Sequence, residues 1–471
     1  MAIKKDKKKT LAEADLSKAP PKTEPLEKGG KPTQEEPKKE GGKEGGKKKE
    51  AEKKLDFTSV VTEDIEQTRK LKLVRGIEEL EKLNSITQLV DLIVRKAWES
   101  GASDIHIDPA AKSVLIRFRI DGILHDIVSL KKELQPLIIT RIKVLSGLRT
   151  DEHFMAQDGR FRVTEDTVDI DLRVSIVPTY HGENVVMRLL VGEARALGLG
   201  ELGLSERDLG ILHRYIKKPY GMILSTGPTG SGKTTSLYSV LRILNSREIS
   251  IITIEDPIEY AVSGITQIQV NTQTNLTFAA GLRSIVRQDP NVIMVGEIRD
   301  EETAGIAVNA AMTGHLLLST LHTNDASTTL PRLLDMSIEP FLIASTVNIA
   351  IGQRLVRKLC ASCRVQYTMS AEERTGLTSA IPQELLNKEK KFWRAEGCDK
   401  CNDTGYIGRI GIFEILEVTD EIRLLIMRRA NADEIHQAAR KQGMTTMLED
   451  GFTKAIAGIT SIAEILRVIH D

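Results

Sequence analysis

Gly227-Pro228-Thr229-Gly230-Ser231-Gly232-Lys233-Thr234 satisfies the spacing G-x-x-x-x-G-K-[ST], and Thr235 follows directly. An apolar run, Met222-Ile-Leu-Ser-Thr226, stands before it and a helical pattern, Ser236 to Leu244, stands after it. Strand, glycine loop and helix therefore come in the order that a phosphate cradle requires. The glycines let backbone N–H groups turn inward toward phosphate oxygens. Lys233 has the reach for the β and γ phosphates, and the Thr234 hydroxyl suits Mg²⁺. The helix start adds its positive dipole end. The chemistry expected is that of a nucleoside triphosphate.

Hydrolysis requires acids beside the cradle. The apolar run Val292-Ile-Met-Val295 ends in Gly296-Glu297, which puts Glu297 at the carboxyl edge of a strand. Gly296 occupies the place where a metal-holding Asp usually stands, so Glu297 is expected to act alone through metal-bound water. A second acidic cluster, Glu255-Asp256-Pro257-Ile258-Glu259, closes the run Ile249–Ile254. Pro257 forces the chain out of regular structure there, so these carboxylates are expected to gather at a strand end facing the same cleft. One of them is a candidate to orient the attacking water; strand-end acids also serve as simple caps. His315 and His322 flank a third apolar run, Leu316–Leu321, where a γ-phosphate sensor or a subunit contact fits the position.

Cys360-Ala-Ser-Cys363 and Cys398-Asp-Lys-Cys401 are the only cysteines in the chain. Two C-x-x-C knuckles supply four soft thiolates, the set that a tetrahedral structural Zn²⁺ takes. A redox reading needs only one pair. The wide gap between the knuckles calls for a loop or helix between them.

The elements that must position these groups fall into blocks. Residues 1–55 are mostly Lys, Glu, Gly and Pro, as in Lys38-Lys-Glu-Gly-Gly-Lys-Glu-Gly-Gly-Lys47, and read as a disordered, solvated tail. Residues 56–84 are charged with a helical pattern and read as a linker. From Ser85, an N-cap, Ile86, Leu89, Val90, Ile93 and Ala97 recur at helical spacing. Alternating strands follow at 102–108 and 114–120, with an Asp121-Gly122 hairpin into 123–128. A helix at about 134–147 and strands at 169–175 and 183–190 complete a small α/β domain over 85–195, and 191–205 forms a hinge. From about 206 strands and helices alternate, as in a parallel sheet.

The 471 residues suggest two or three domains. With 66 basic and 66 acidic residues the formal net charge is zero, so no overall field favours a polyanion. No stretch approaches 18 uninterrupted apolar residues, and the N-terminus is lysine-rich rather than signal-like. A cytoplasmic protein is expected.

These boxes together resemble the secretion and pilus-assembly ATPases that drive type II secretion and type IV pilus extension. The resemblance runs from about residue 85 to 471. It rests on the 227–235 loop, on Thr253-Ile-Glu-Asp-Pro-Ile-Glu259 as an Asp box, on Gly296-Glu-Ile-Arg-Asp300 as a Walker B, and on Gly314–Asp325 as a His box. It implies an α/β fold: a RecA-like motor domain over 196–471 with a mostly parallel sheet, preceded by a smaller PAS-like α/β domain. A tetracysteine zinc element at 356–412 and C-terminal helices at 416–471 belong to the motor. It implies ATP with Mg²⁺, Glu259 orienting water, Glu297 on the metal side and His322 sensing phosphate, with Glu255 a further candidate from the acidic cluster itself. Arg160, in Gln157-Asp-Gly-Arg160, and Arg173, in Asp171-Leu-Arg-Val174, match arginines that close over the phosphates; surface ion pairs are the lesser alternative for them. A homohexamer at the inner face of the cytoplasmic membrane, working on an inner-membrane platform protein and through it on pilin or pseudopilin, is implied as well. Retraction motors of the family normally lack the four cysteines. A nucleic-acid translocase on the same sheet is the alternative from another class, and no direct nucleic-acid binding is expected.

Overall fold

The computed structural model describes residues 85–165, 168–191, 197–369 and 391–470. The expected tail and linker, residues 1–84, and most of the gap between the cysteine knuckles lie outside them.

The first lobe opens with helix α1 (Ile86–Glu99), where the Ser85 side chain accepts from the Gln88 N–H. Strands β1 (Ala102–Pro109), β2 (Ser113–Ile120) and β3 (Ile123–Lys131) lead to α2 (Gln135–Leu145), then β4 (Gln157–Glu165), β5 (Val168–Thr179) and β6 (Gly182–Val191). The six strands form one antiparallel sheet in the order β3-β2-β1-β6-β5-β4. Period-two alternation sorts its faces. Ile105, Ile107, Ile116, Phe118, Leu172, Val174, Val185 and Met187 share a core with Leu89, Ile93, Ile138 and Ile142 of the two helices. The opposite face carries the charged residues. Strand β4 was not expected from the sequence; its two apolar inward residues, Phe161 and Val163, are too few to mark an edge strand.

The second lobe begins with α3 (Glu206–Tyr215) and runs through β7 (Gly221–Thr226), α4 (Lys233–Leu244), β8 (Ile251–Glu255), β9 (Thr266–Gln269), α5 (Phe278–Ile285), β10 (Val292–Val295), α6 (Glu301–Met312) and β11 (Leu316–Leu321). Helices α7 (Thr329–Asp335) and α8 (Pro340–Thr346) precede β12 (Val347–Leu359). The seven-stranded sheet has the order β15-β12-β7-β11-β10-β8-β9 and is parallel except for the β12–β15 pair, β15 being Tyr406–Glu417. Strands β7, β8, β10 and β11 are buried at every residue, because helices cover both faces. A short hairpin, β13 (Arg364–Tyr367) with β14 (Phe392–Ala395), carries the cysteine knuckles. Helices α9 (Asp420–Met427), α10 (Ala432–Lys441), α11 (Met447–Ile456) and α12 (Ile462–His470) close the chain. This is the α/β architecture with a helical C-terminus that the sequence implies.

Hydrogen bonds join the two lobes. The Asp121 carboxylate, at the β2–β3 turn, accepts from the Gly408 N–H at 2.8 Å. Arg173 of β5 donates to the Ile258 carbonyl at 2.5 Å.

Candidate functional site

The phosphate loop lies between β7 and α4 at the carboxyl edge of the parallel sheet. Gly227, Gly230 and Gly232 all have positive φ (143°, 79° and 91°), the left-handed region that glycine enters without a Cβ clash. At Gly227 the need is also spatial, since a Cβ there would stand 2.4 Å from the Gln353 carbonyl oxygen. Helix α4 starts without a side-chain cap, so its first N–H groups have no such partner.

The loop is shaped for an anion. Lys233 is buried, and its Nζ donates to the carbonyls of Gly227 at 2.7 Å and Pro228 at 3.0 Å. Burial holds its pKa below the ordinary lysine value, while the nearby Glu297 carboxylate pulls it back up. The Ser231 hydroxyl is buried and has no hydrogen-bond partner among the described residues. A buried cation resting on its own loop and an orphaned hydroxyl are both groups that phosphate oxygens would satisfy. Thr234 sits one residue into α4, and Thr235 follows it.

Neighbouring strand tips bring the acids. Gly296 donates to the Ile254 carbonyl at 2.7 Å, and any Cβ on it would press at 3.3 Å on that oxygen and on Glu255 Cα. The strands are thus closely apposed at this position. Glu297, next along, is buried; its oxygens pair with His322 Nε2 at 3.0 Å and with an Arg299 nitrogen at 2.6 Å. The Thr226 hydroxyl donates to the Thr323 carbonyl at 2.8 Å, which ties the phosphate-loop strand to the segment carrying His322. Lys233, Glu297 and His322 therefore share one edge. His315 does not: β11 runs parallel to β7, so His315 lies at the opposite end of the sheet, with Nδ1 2.9 Å from the Ala310 oxygen. A phosphate-sensing position is thereby excluded for it.

The acids after β8 divide. Glu255 is buried with donors on both oxygens: the Tyr238 hydroxyl on one, the Thr253 hydroxyl at 2.6 Å and the Gln267 amide at 3.2 Å on the other. It does not open onto the cleft as the sequence reading expected, because those neighbours on α4 and β9 claim it. Tyr238 loses acidity through burial and this carboxylate. Glu259 does reach the cleft between lobes, where its carboxylate lies 3.9 Å from Arg173, each side chain about a third exposed (37% and 31%). Tyr260 stacks edge-on against Tyr238 at 4.7 Å and so lays this segment on the phosphate-loop helix.

Arg173 stands in a row. Arg160 of β4 and Arg188 of β6 are its cross-strand partners, Asp104 of β1 faces Arg188, and Arg119 of β2 faces Asp104. Directly opposed residues share a face, so four guanidinium side chains line the polar face of the first lobe. Buried Asp104 pairs with Arg188 at 2.9 Å and Arg119 at 3.5 Å. Arg188 and Arg119 were missed from sequence, although the alternation in Val186-Met-Arg188 and Arg117-Phe-Arg119 already sets them opposite the core face. Arg160 is exposed.

The four cysteine sulfurs lie within 4.8 Å of one another. The separations are 3.8 Å for Cys360–Cys398 and 3.7 Å for both Cys363–Cys401 and Cys398–Cys401. A tetrahedron of sulfurs about 2.3 Å from Zn²⁺ has edges of about 3.8 Å, so the donor set fits that ion. Cys401 Sγ also accepts from the N–H groups of Cys398 and Gly405, each at 3.2 Å, which holds this knuckle in shape.

Residues 79–467 match the family model described as "Type II/IV secretion system protein". The chain belongs to that family. It is 46% identical over 386 residues to "Type II secretion system protein HxcR" of Pseudomonas aeruginosa, covering 82% of this chain and 78% of that one. It is 41% identical over 415 residues to "Type IV pilus assembly ATPase PilB" of Myxococcus xanthus, covering 87% and 73%. Among solved structures it resembles the "Pilus Retraction Motor PilT and Bound ADP", with TM-score 0.55, 26% identity and coverage of 80% and 96%. As a type II/IV secretion system protein with this phosphate loop, the chain is an ATPase, and no helix among its described residues is long and apolar enough to cross a membrane.

Proposed function

We propose that this chain is the ATP-hydrolysing motor of a type IV pilus assembly or type II secretion machine. The observation that carries the reading is the shared edge of Lys233, Glu297 and His322 beneath a cleft into which the other lobe sends Arg173. Gly227, Pro228, Thr229, Gly230, Ser231, Gly232, Lys233, Thr234 and Thr235 wrap the triphosphate. Thr234 would hold Mg²⁺ and Glu297 would act on it through metal-bound water, the ion supplying positive charge against the phosphates. Lys233 trades its loop carbonyls for phosphate oxygens. Glu259 orients the attacking water, and Glu255 holds the strand end on which Glu259's segment is mounted. His322, hydrogen-bonded to Glu297, registers whether the γ phosphate is present. Arg173 and Arg160 move with the first lobe and stabilise charge that develops during transfer. Cys360, Cys363, Cys398 and Cys401 hold a structural Zn²⁺ with no open coordination position.

Closing and opening of the lobes, with Arg173–Ile258 as one contact, converts hydrolysis into motion. Six copies form the working ring at the cytoplasmic face of the inner membrane, where a platform protein passes the motion to pilin or pseudopilin. Assembly or secretion is favoured over retraction because relatives at 41–46% identity carry those names and the retraction motor's structure matches at 26%. The test is steady-state hydrolysis with and without the purified cytoplasmic domain of the platform protein from the same genome. Stimulation of several-fold supports the reading; an unchanged rate together with no detectable complex contradicts it.

A further inference from the structure

Gln353 lies on β12, beside β7 in the sheet, where Gly352 pairs with Thr226 and Ile351 with Ser225. Its side chain is buried at 1% exposure beside the equally buried Ser225 of β7. A carboxamide desolvated there is costly unless bonded. Gln353 Oε1 accepts from the Ser225 hydroxyl at 3.2 Å, and Nε2 donates to the Ser231 carbonyl at 2.9 Å. The backbone of Gln353 is also the surface against which Gly227 must lack a Cβ, and a Cβ on Gly232 would meet Nε2 at 3.2 Å. One residue from a strand 122 positions away thus touches the first, fifth and sixth residues of the phosphate loop.

The Ser231 bond has a geometric consequence. A trans peptide is planar, with its C=O and N–H pointing in opposite directions. Pinning the Ser231 carbonyl toward β12 therefore turns the Gly232 N–H away from β12, into the hollow of the loop. Gly232, at φ +91°, holds a backbone conformation that a residue without a Cβ adopts readily. The buried Ser231 hydroxyl, without a partner among the described residues, belongs to the same residue whose carbonyl is held.

We propose that Gln353 is a positioning residue for nucleotide: its carboxamide fixes the Ser231–Gly232 peptide so that the loop meets phosphate with its donors already aimed. This rests on the reading of residues 227–235 as the nucleotide cradle. Preorganisation of this kind acts on binding, so it appears in Kd and KM rather than in the rate at saturation.

The experiment uses the full chain and a fluorescent ADP analogue with Mg²⁺. Q353M keeps an unbranched side chain of similar volume and loses both hydrogen bonds. It is expected to raise Kd about ten-fold or more, with KM for ATP rising in parallel. The value of kcat stays within about three-fold, on the same reasoning. In Q353E an ionised carboxylate faces the Ser231 carbonyl and repels it, whereas a protonated one donates to it as the amide does. Its Kd relative to the wild type at the same pH is expected to rise about ten-fold between pH 6 and pH 9. A Q353M affinity within two-fold of wild type overturns the proposal. If Q353M does not fold, a Q353E ratio that stays constant with pH overturns it. K233A separates the two readings: loss of nucleotide in K233A with normal binding in Q353M sinks only the Gln353 role, while normal binding in K233A sinks the cradle itself.

Discussion

Replacing Arg173 with Gln distinguishes a domain tether from a group that acts on the reaction. The amide still reaches toward the Ile258 carbonyl but carries no charge. In the structure Arg173 lies 3.9 Å from Glu259. At an effective dielectric constant of about 20 that separation corresponds to about 4 kcal/mol of gross attraction. With the two side chains 31% and 37% exposed, solvent and salt reduce the net value to roughly 0.2–1 kcal/mol. A lost tether therefore costs at most about five-fold in any lobe-closing equilibrium. A guanidinium that meets charge developing on the transferred phosphoryl group is worth on the order of 10³-fold or more in kcat. Phosphate release at saturating ATP, with ADP affinity measured alongside, separates the two. The account expects kcat to fall at least 100-fold with ADP affinity within about five-fold, the bound set by the tether arithmetic. A kcat within five-fold of wild type would refute the reasoning and leave Arg173 as a surface ion pair.

Three further outcomes follow from the structure. Cys401→Ser removes one sulfur of the four-cysteine cluster and should take bound zinc from about one per chain to near zero by atomic emission, with a lower melting temperature; unchanged zinc would place the metal elsewhere. Glu414, buried between the Ala326 N–H at 2.7 Å and the Met447 N–H at 3.3 Å, is pushed up to about 7 chiefly by burial. A raised folded-state value means that its contribution is whole below about pH 4.5 and is lost as pH climbs through about 7, on the order of 3 kcal/mol for a rise from 4.5 to about 7. Glu414→Gln, which cannot ionise, should flatten that part of the melting profile between pH 5 and 8, and parallel profiles would contradict it. Gly227→Ala forces a Cβ to 2.4 Å from a backbone oxygen and should abolish detectable ADP binding.

What could be read from sequence was whatever is written locally. The phosphate loop, the apolar runs 222–226, 292–295 and 316–321, and the paired cysteines each carry their meaning in a few adjacent residues. Partnerships across strands were not written that way. Nothing in Thr253-Ile-Glu255 announces that Tyr238 and Gln267 will claim the carboxylate, because those donors come from a helix and a strand set beside it by sheet order. The row of Arg160, Arg173, Arg188 and Arg119 needs the register of five strands, whereas alternation alone gives only the face. Strand β12, with thirteen residues, was overlooked for a related reason. It is buried on both faces through its first seven residues and so lacks a period.

The central claim is that triphosphate held at Lys233 is cleaved through Glu297 at the next strand tip. Glu297→Gln keeps the side-chain volume and can still meet His322 and Arg299, but it removes the charge. Measured on one preparation, nucleotide affinity and single-turnover hydrolysis should diverge: ATP bound within a few-fold of wild type, and cleavage slowed by at least about 100-fold. Cleavage at the wild-type rate would contradict the account.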